Sequence, residues 1–137
     1  MKKIIAFVFS GFFLLSACSN GIPDAGKKVD SYPAIFPDYK EVTIPTNIAP
    51  LNFGMEDKDI KDAWAFLTAE NESLQTKLER GTFHLDAEKW KKLLQAAAGK
   101  SIHVEISVKS QAGWVVYKPF EIFVSRDSMD EYIAYRR

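Results

Sequence analysis

Asp86-Ala87-Glu88-Lys89-Trp90-Lys91-Lys92-Leu93-Leu94-Gln95-Ala96-Ala97-Ala98-Gly99 is the stretch from which the rest of the chain can be placed. Trp90, Leu93, Leu94 and Ala97 recur at helical spacing and form one apolar stripe, while Lys89, Lys91, Lys92 and Gln95 fall on the opposite side. Asp86 suits the N-cap, Glu88 adds negative charge in the first turn, and Gly99 closes the helix. The pattern predicts one amphipathic helix over 86–98, whose stripe needs an apolar surface to face. That surface follows at once, because Ile102, Val104, Ile106 and Val108 alternate strictly with His103, Glu105, Ser107 and Lys109. Period two is the mark of a half-buried strand.

Outward from this pair the chain reads as strands. Ser110-Gln111-Ala112-Gly113 is a turn leading to Trp114–Lys118, and Pro119 interrupts the ladder before Phe120–Val124, as at an edge or bulge. Upstream, Leu74, Thr76 and Leu78 alternate with Gln75, Lys77 and Glu79, and Arg80-Gly81 turns the chain into Thr82–Leu85. Glu70-Asn71-Glu72 is a polar turn before it, and Ile60–Thr68 reads as a strand through Trp64, Phe66 and Thr68. Five of the six prolines fall between Pro23 and Pro50, which makes that stretch extended and free of helix. It still carries Tyr32, Ile35, Phe36, Tyr39, Val42, Ile44, Ile48, Leu51 and Phe53, so it packs along a surface, with short strands at Glu41–Ile44 and Leu51–Met55. The sum is a mainly β, α+β domain: an antiparallel, sandwich-like arrangement of six or seven strands with one crossover helix.

The first twenty residues carry an address. Met1-Lys2-Lys3 is a short basic start, and the uncharged run Ile4–Ala17 is too short for a bilayer span of about 20 residues, so it fits a signal peptide. It ends in Leu15-Ser16-Ala17-Cys18, which resembles the bacterial lipobox. The resemblance implies cleavage before Cys18, a thioether-linked diacylglycerol on its thiol and an acyl chain such as palmitate on the new amino group. At about 0.8 kcal/mol per buried methylene, two or three such chains make a firm anchor. Ser19 after the cysteine points by resemblance to the outer membrane, on its periplasmic or its surface side. The domain plan is then a signal peptide at 1–17, a small and polar tether at 18–31, a folded domain at 32–126 and a C-terminal segment at 127–137.

Composition narrows the function. The 18 basic and 18 acidic residues balance, and without Lys2 and Lys3 the mature chain is slightly acidic, which argues against nucleic-acid binding. Cys18 is the single cysteine, so the sequence offers no disulfide framework and no cysteine-rich metal site. His84 and His103 are the two histidines, and a zinc site would have to recruit carboxylates such as Glu105. There is no G-x-S-x-G element and no glycine-rich phosphate loop. Glu56-Asp57 and Asp127 with Asp130-Glu131 read as solvated turns, and Lys89, Lys91 and Lys92 as the wet side of the helix. No catalytic residues, metal site or cofactor are expected. Trp64, Trp90 and Trp114 each sit in a pattern that predicts core burial.

Phe36-Pro37-Asp38-Tyr39 and Val42-Thr43-Ile44-Pro45-Thr46-Asn47-Ile48-Ala49-Pro50-Leu51-Asn52-Phe53 resemble the opening of the TolB-like, WD-type β-propeller lipoproteins of Bacteroidota. Trp90 in the helix, Lys118-Pro119-Phe120, and Asp130-Glu131-Tyr132-Ile133-Ala134-Tyr135-Arg136 are similar to the same family's N-terminal domain. The resemblance implies an accessory module of the envelope, with 127–137 as the hinge toward a propeller that does not follow in this sequence. Only Cys18 carries over as a functional position.

Two expectations from different classes stand side by side. One is a lipid-anchored, non-catalytic protein-interaction module with an envelope protein as partner, which predicts buried tryptophans and an apolar patch at Tyr132, Ile133 and Tyr135. The other is a small-ligand or glycan-binding lipoprotein, which predicts at least two of Trp64, Trp114, Tyr117 and Phe123 together on one sheet face.

Overall fold

The computed structural model describes residues 26–130, so the signal segment, Cys18 and the stretch Tyr132–Tyr135 lie outside the described residues. The elements are β1 (Lys27–Lys28), β2 (Ile35–Phe36), β3 (Thr43–Ile44), β4 (Phe53–Met55), β5 (Ala63–Ala69), β6 (Glu72–Glu79), β7 (Thr82–Phe83), α1 (Ala87–Ala97), β8 (Ser101–Ser110), β9 (Gly113–Val116) and β10 (Phe120–Val124). The mainly β, α+β class holds. Its layers are one curled, ten-stranded sheet and the single helix against its inner face, where a sandwich would have a second sheet.

The helix forms where its pattern places it. The Asp86 side chain accepts from the Lys89 amide at 2.9 Å, and Gly99 leaves the helix at φ 73°. Trp90, Leu93, Leu94 and Ala97 are all buried against β5, β6, β8 and β10. Opposite them lie Ala63, Ala65, Leu67 and Ala69 of β5, Leu74 and Leu78 of β6, Ile102 to Val108 in alternation on β8, and Phe120, Ile122 and Val124 of β10. The Trp90 indole N–H donates to the Ile48 carbonyl at 3.1 Å, and the Leu85 amide donates to Asn52 Oδ1 at 2.9 Å. These two bonds fasten the proline-rich lead-in to the helix it covers. Its short strands close the far end of the sheet, with Phe53 packed on Phe83 at 5.0 Å between ring centres.

The sheet runs β1-β9-β8-β5-β6-β7-β4-β2. β5 and β8 are its centre, paired antiparallel from Ala63 opposite Val108 to Thr68 opposite His103. β8 is long enough to hold two successive partners on its other side, β9 against 107–110 and β10 against 101–104. Pro119 sits in the gap between them, where an absent amide costs the ladder nothing. Arg80 and Gly81 both have positive φ, 51° and 83°, the left-handed pair that suits a two-residue hairpin between β6 and β7. Gly54 on β4 sits so close to the Gly81 carbonyl that a Cβ there would collide with it.

Two features correct the sequence reading of the sheet. The pairing is not purely antiparallel, because β1 lies parallel to β9 and β3 parallel to β10, each over two residues. The stretch expected as tether also contributes: Lys27 and Lys28 form β1, and the Val29 amide donates to the Val116 carbonyl at 3.0 Å. Among the described residues no helix is long and apolar enough to cross a membrane.

The helix tryptophan is the heart of the core. Trp90→Ala is expected to cost about 3–5 kcal/mol of unfolding free energy, whereas Trp64→Ala, on the opposite face of the sheet, costs well under half of that. Urea unfolding of the two variants followed by circular dichroism measures the contrast.

Candidate functional site

With α1 filling the concave side, the alternate residues of β5 and β8 point to the other face. Ala63, Ala65, Leu67 and Ala69 are buried inward, so Trp64, Phe66 and Thr68 stand on the open face, each half-buried. The register carries this across the sheet. Trp64 is flanked by Lys77 and Ser107, and Ser107 by Val116; Phe66 lies between Gln75 and Glu105; Thr68 lies between Ser73 and His103, which faces Glu121. Trp114 pairs with Lys109, two residues along β8 from Ser107, and is therefore on the same face.

The core assignment for two of the three tryptophans is thus corrected. Trp90 is buried as expected, but Trp64 and Trp114 are half-buried on the open face. The cause is strand parity: once the helix claims the odd-numbered residues of β5, the even-numbered ones cannot also be inside. The four platform candidates do not all come together. Trp64 and Trp114 share one region of the open face, two strands apart. Phe123 is 42% exposed on that face but pairs with Ser101 and Thr43, beyond the His103–Glu121 row. Tyr117 is half-buried and packs against the core cluster. Phe66 takes the place in the cluster that Tyr117 and Phe123 do not fill. Its signal was in the sequence, since it is two residues from Trp64 on one strand.

From strand spacing and rise, the row from Trp114 through Trp64 to Phe66 spans about 17 Å between its outer Cα atoms. Ser107 lies within it, fully buried, with its hydroxyl lacking a hydrogen-bond partner among the described residues. Lys77 at the rim reaches Asp62 at 3.3 Å. Further along, His103 Nδ1 is 2.7 Å from Glu121 Oε1, an imidazole and carboxylate that are respectively 48% and 35% exposed. A hydrolase reading asks for a histidine beside a carboxylate within a cleft; this pair meets the first condition on an exposed strand face. His84 is exposed at the end of β7, where its carbonyl accepts from the Thr76 hydroxyl at 2.9 Å. Among the described residues no three His, Cys, Asp or Glu side chains are grouped to hold a metal ion. Lys89, Lys91 and Lys92 are exposed on the outer side of α1.

Beside the aromatic row the sheet forms a hollow of ≈ 320 Å³. It arises where the Tyr117–Pro119 connection swings away from β8 between β9 and β10, and β1 closes its outer wall. Glu105, Val116 and Tyr117 face it from the sheet, and Lys28 and Lys118 from the outer side. Lys118 is held by Asp30 at 3.4 Å and lies over the Tyr32 ring at 5.1 Å from its centre. A second hollow of ≈ 420 Å³ runs between α1 and residues 46–50, over Trp90 and Leu94. Asn47 at its edge holds Met129 by both backbone groups, at 2.7 and 3.0 Å. The patch expected at Tyr132, Ile133 and Tyr135 and the lipidation site at Cys18 lie outside the described residues.

No protein-family model matches this chain, and neither a curated protein nor a solved structure matches it.

The three tryptophans differ enough in exposure to be told apart in solution. With the other two tryptophans replaced by phenylalanine, chains retaining only Trp64 or only Trp114 are expected to be quenched by acrylamide several-fold more strongly than one retaining only Trp90. Equal quenching of all three would contradict the assignment of faces.

Proposed function

We propose that this protein is a lipid-anchored, non-catalytic lipoprotein of the cell envelope that binds glycan on the open face of its sheet. The observation that carries the reading is the placement of Trp64, Phe66 and Trp114 outside the core, on one face and on three adjoining strands' worth of rigid ladder. The C–H face of a pyranose ring is apolar and weakly electropositive, and it complements the negative face of an indole or phenyl ring. The hydroxyls around the ring then need donors and acceptors at its edge, which Gln75, Lys77, Lys109 and Glu105 supply by register. A protein-docking face would be expected to close over its apolar side chains in larger blocks; here every aromatic is bordered by polar neighbours.

The envelope location rests on the lipobox ending at Cys18, with Ser19 favouring the outer membrane. The resemblance to the N-terminal domain of TolB-like lipoproteins supports the same compartment, and it keeps an envelope protein partner as the alternative occupant.

Affinity electrophoresis through gels containing soluble cell-wall or capsular glycans tests the reading. Retardation is expected for the natural chain and for Phe123→Ala, and a loss of about tenfold or more in affinity, equal to about 1.4 kcal/mol, for Trp64→Ala and for Trp114→Ala. Retardation by no glycan, with capture of an envelope protein at the same tryptophans, would replace the ligand with a protein. Separately, Cys18→Ala is expected to move the protein from the membrane to the soluble fraction, and unchanged fractionation would remove the anchor.

A further inference from the structure

We infer that the glycan this face takes is one whose sugars bear a substituent carrying both an ammonium and a carboxylate, the chemistry of a short peptide on an amino-sugar strand. The inference rests on the glycan reading above and comes from the hollow beside the stacking row. Glu105 is the cross-strand neighbour of Phe66 and at the same time lines the hollow. Val116, in its floor, is the neighbour of Ser107, which is itself the neighbour of Trp64. The stacking row and the hollow are therefore one strand spacing apart, about 5 Å, and a group branching from a ring stacked on Trp64 or Phe66 enters the hollow.

The charges there are of both signs. Lys118 already has Asp30 and the Tyr32 ring. Glu105, half-buried, and Lys28, on β1 opposite, have no ion-pair partner among the described residues. Between them by register is the apolar Val116, the β9 partner of Lys28. A neutral sugar would cover Glu105 without compensating its lost hydration, and a purely anionic one would meet Lys28 but be repelled by Glu105. A substituent with an ammonium toward Glu105 and a carboxylate toward Lys28 answers both, with its aliphatic part on Val116. At ≈ 320 Å³ the hollow holds one or two amino-acid residues and not a second sugar chain.

The test is calorimetric titration of the full mature chain in detergent with three probes. They are a disaccharide of N-acetylglucosamine and N-acetylmuramic acid bearing a tripeptide that ends in a diamino acid, the same disaccharide without peptide, and the tripeptide alone. Expected is at least tenfold tighter binding of the peptide-bearing disaccharide than of the bare one. Glu105→Gln and Lys28→Met should each reduce that advantage several-fold, and Trp64→Ala should weaken both sugars. Circular dichroism confirms that each variant is folded. Equal binding of the two disaccharides, still dependent on Trp64, would overturn this inference and leave the glycan reading standing. Binding of neither disaccharide, or binding of the tripeptide alone without dependence on Trp64, would overturn this inference, and the glycan reading falls with it only where the gels of soluble glycans give no retardation either.

Discussion

Everything on the open face follows from the burial of one helix stripe in the curl of the sheet. Trp90 brings the largest side chain in the core, and the strand beneath the helix answers with alanine at 63, 65 and 69. Large against small is what lets a helix approach a sheet at native packing density. Exchanging the two faces of β5 would put Trp64 and Phe66 under α1, where there is no volume for them, and would expose Leu67. Because a strand has period two, that single choice also fixes β6 and β8 through the ladder, residue by residue. The positions of Trp64, Phe66 and Trp114 are thus consequences of the core as much as features of a surface.

The helix, the hairpins and the long alternating strand were legible because each is written in local periodicity. The capped stretch from Asp86 forms a helix within a residue of its expected ends, and Phe120–Val124 is a strand over the same residues. The direction of β5 was not legible from its own residues, since it is apolar on both faces: alanine and leucine on one, tryptophan and phenylalanine on the other. Alternation reports the period and leaves the face open. The face was nonetheless encoded one hairpin away. The turn at Glu70-Asn71 sets Trp64 opposite Lys77, Phe66 opposite Gln75 and Thr68 opposite Ser73, while Ala65 and Leu67 face Thr76 and Leu74. The face whose partners are all polar is the wet one. The parallel pairings of β1 and β3 were beyond reach for a different reason: two-residue strands have no period, and their partners lie far along the chain.

The placement of the stacking row on β5, β8 and β9 also matters energetically. β5 and β8 are the most heavily paired strands, each hydrogen-bonded on both sides, and β9 is paired to β8 along its whole length. A ring held there has few rotamers left to lose, so in the proposed complex stacking is converted into affinity with little ordering cost. The rim is different in kind. Its ion pairs, Lys77 with Asp62 and His103 with Glu121, are partly exposed and worth about 0–1 kcal/mol each to the fold. They can be rearranged around a ligand without loosening the domain.

This division assigns separate work to the two kinds of side chain. In the proposed complex the aromatic row, rigid and fixed by the core, supplies most of the binding energy to a ligand with an apolar face of the right breadth. The charges around it discriminate, because a mismatched charge at a half-buried Glu105 costs more than a matched one gains on an exposed lysine. Specificity in the proposed complex accordingly depends less on how many contacts a ligand makes than on whether it leaves Glu105 covered and unpaired.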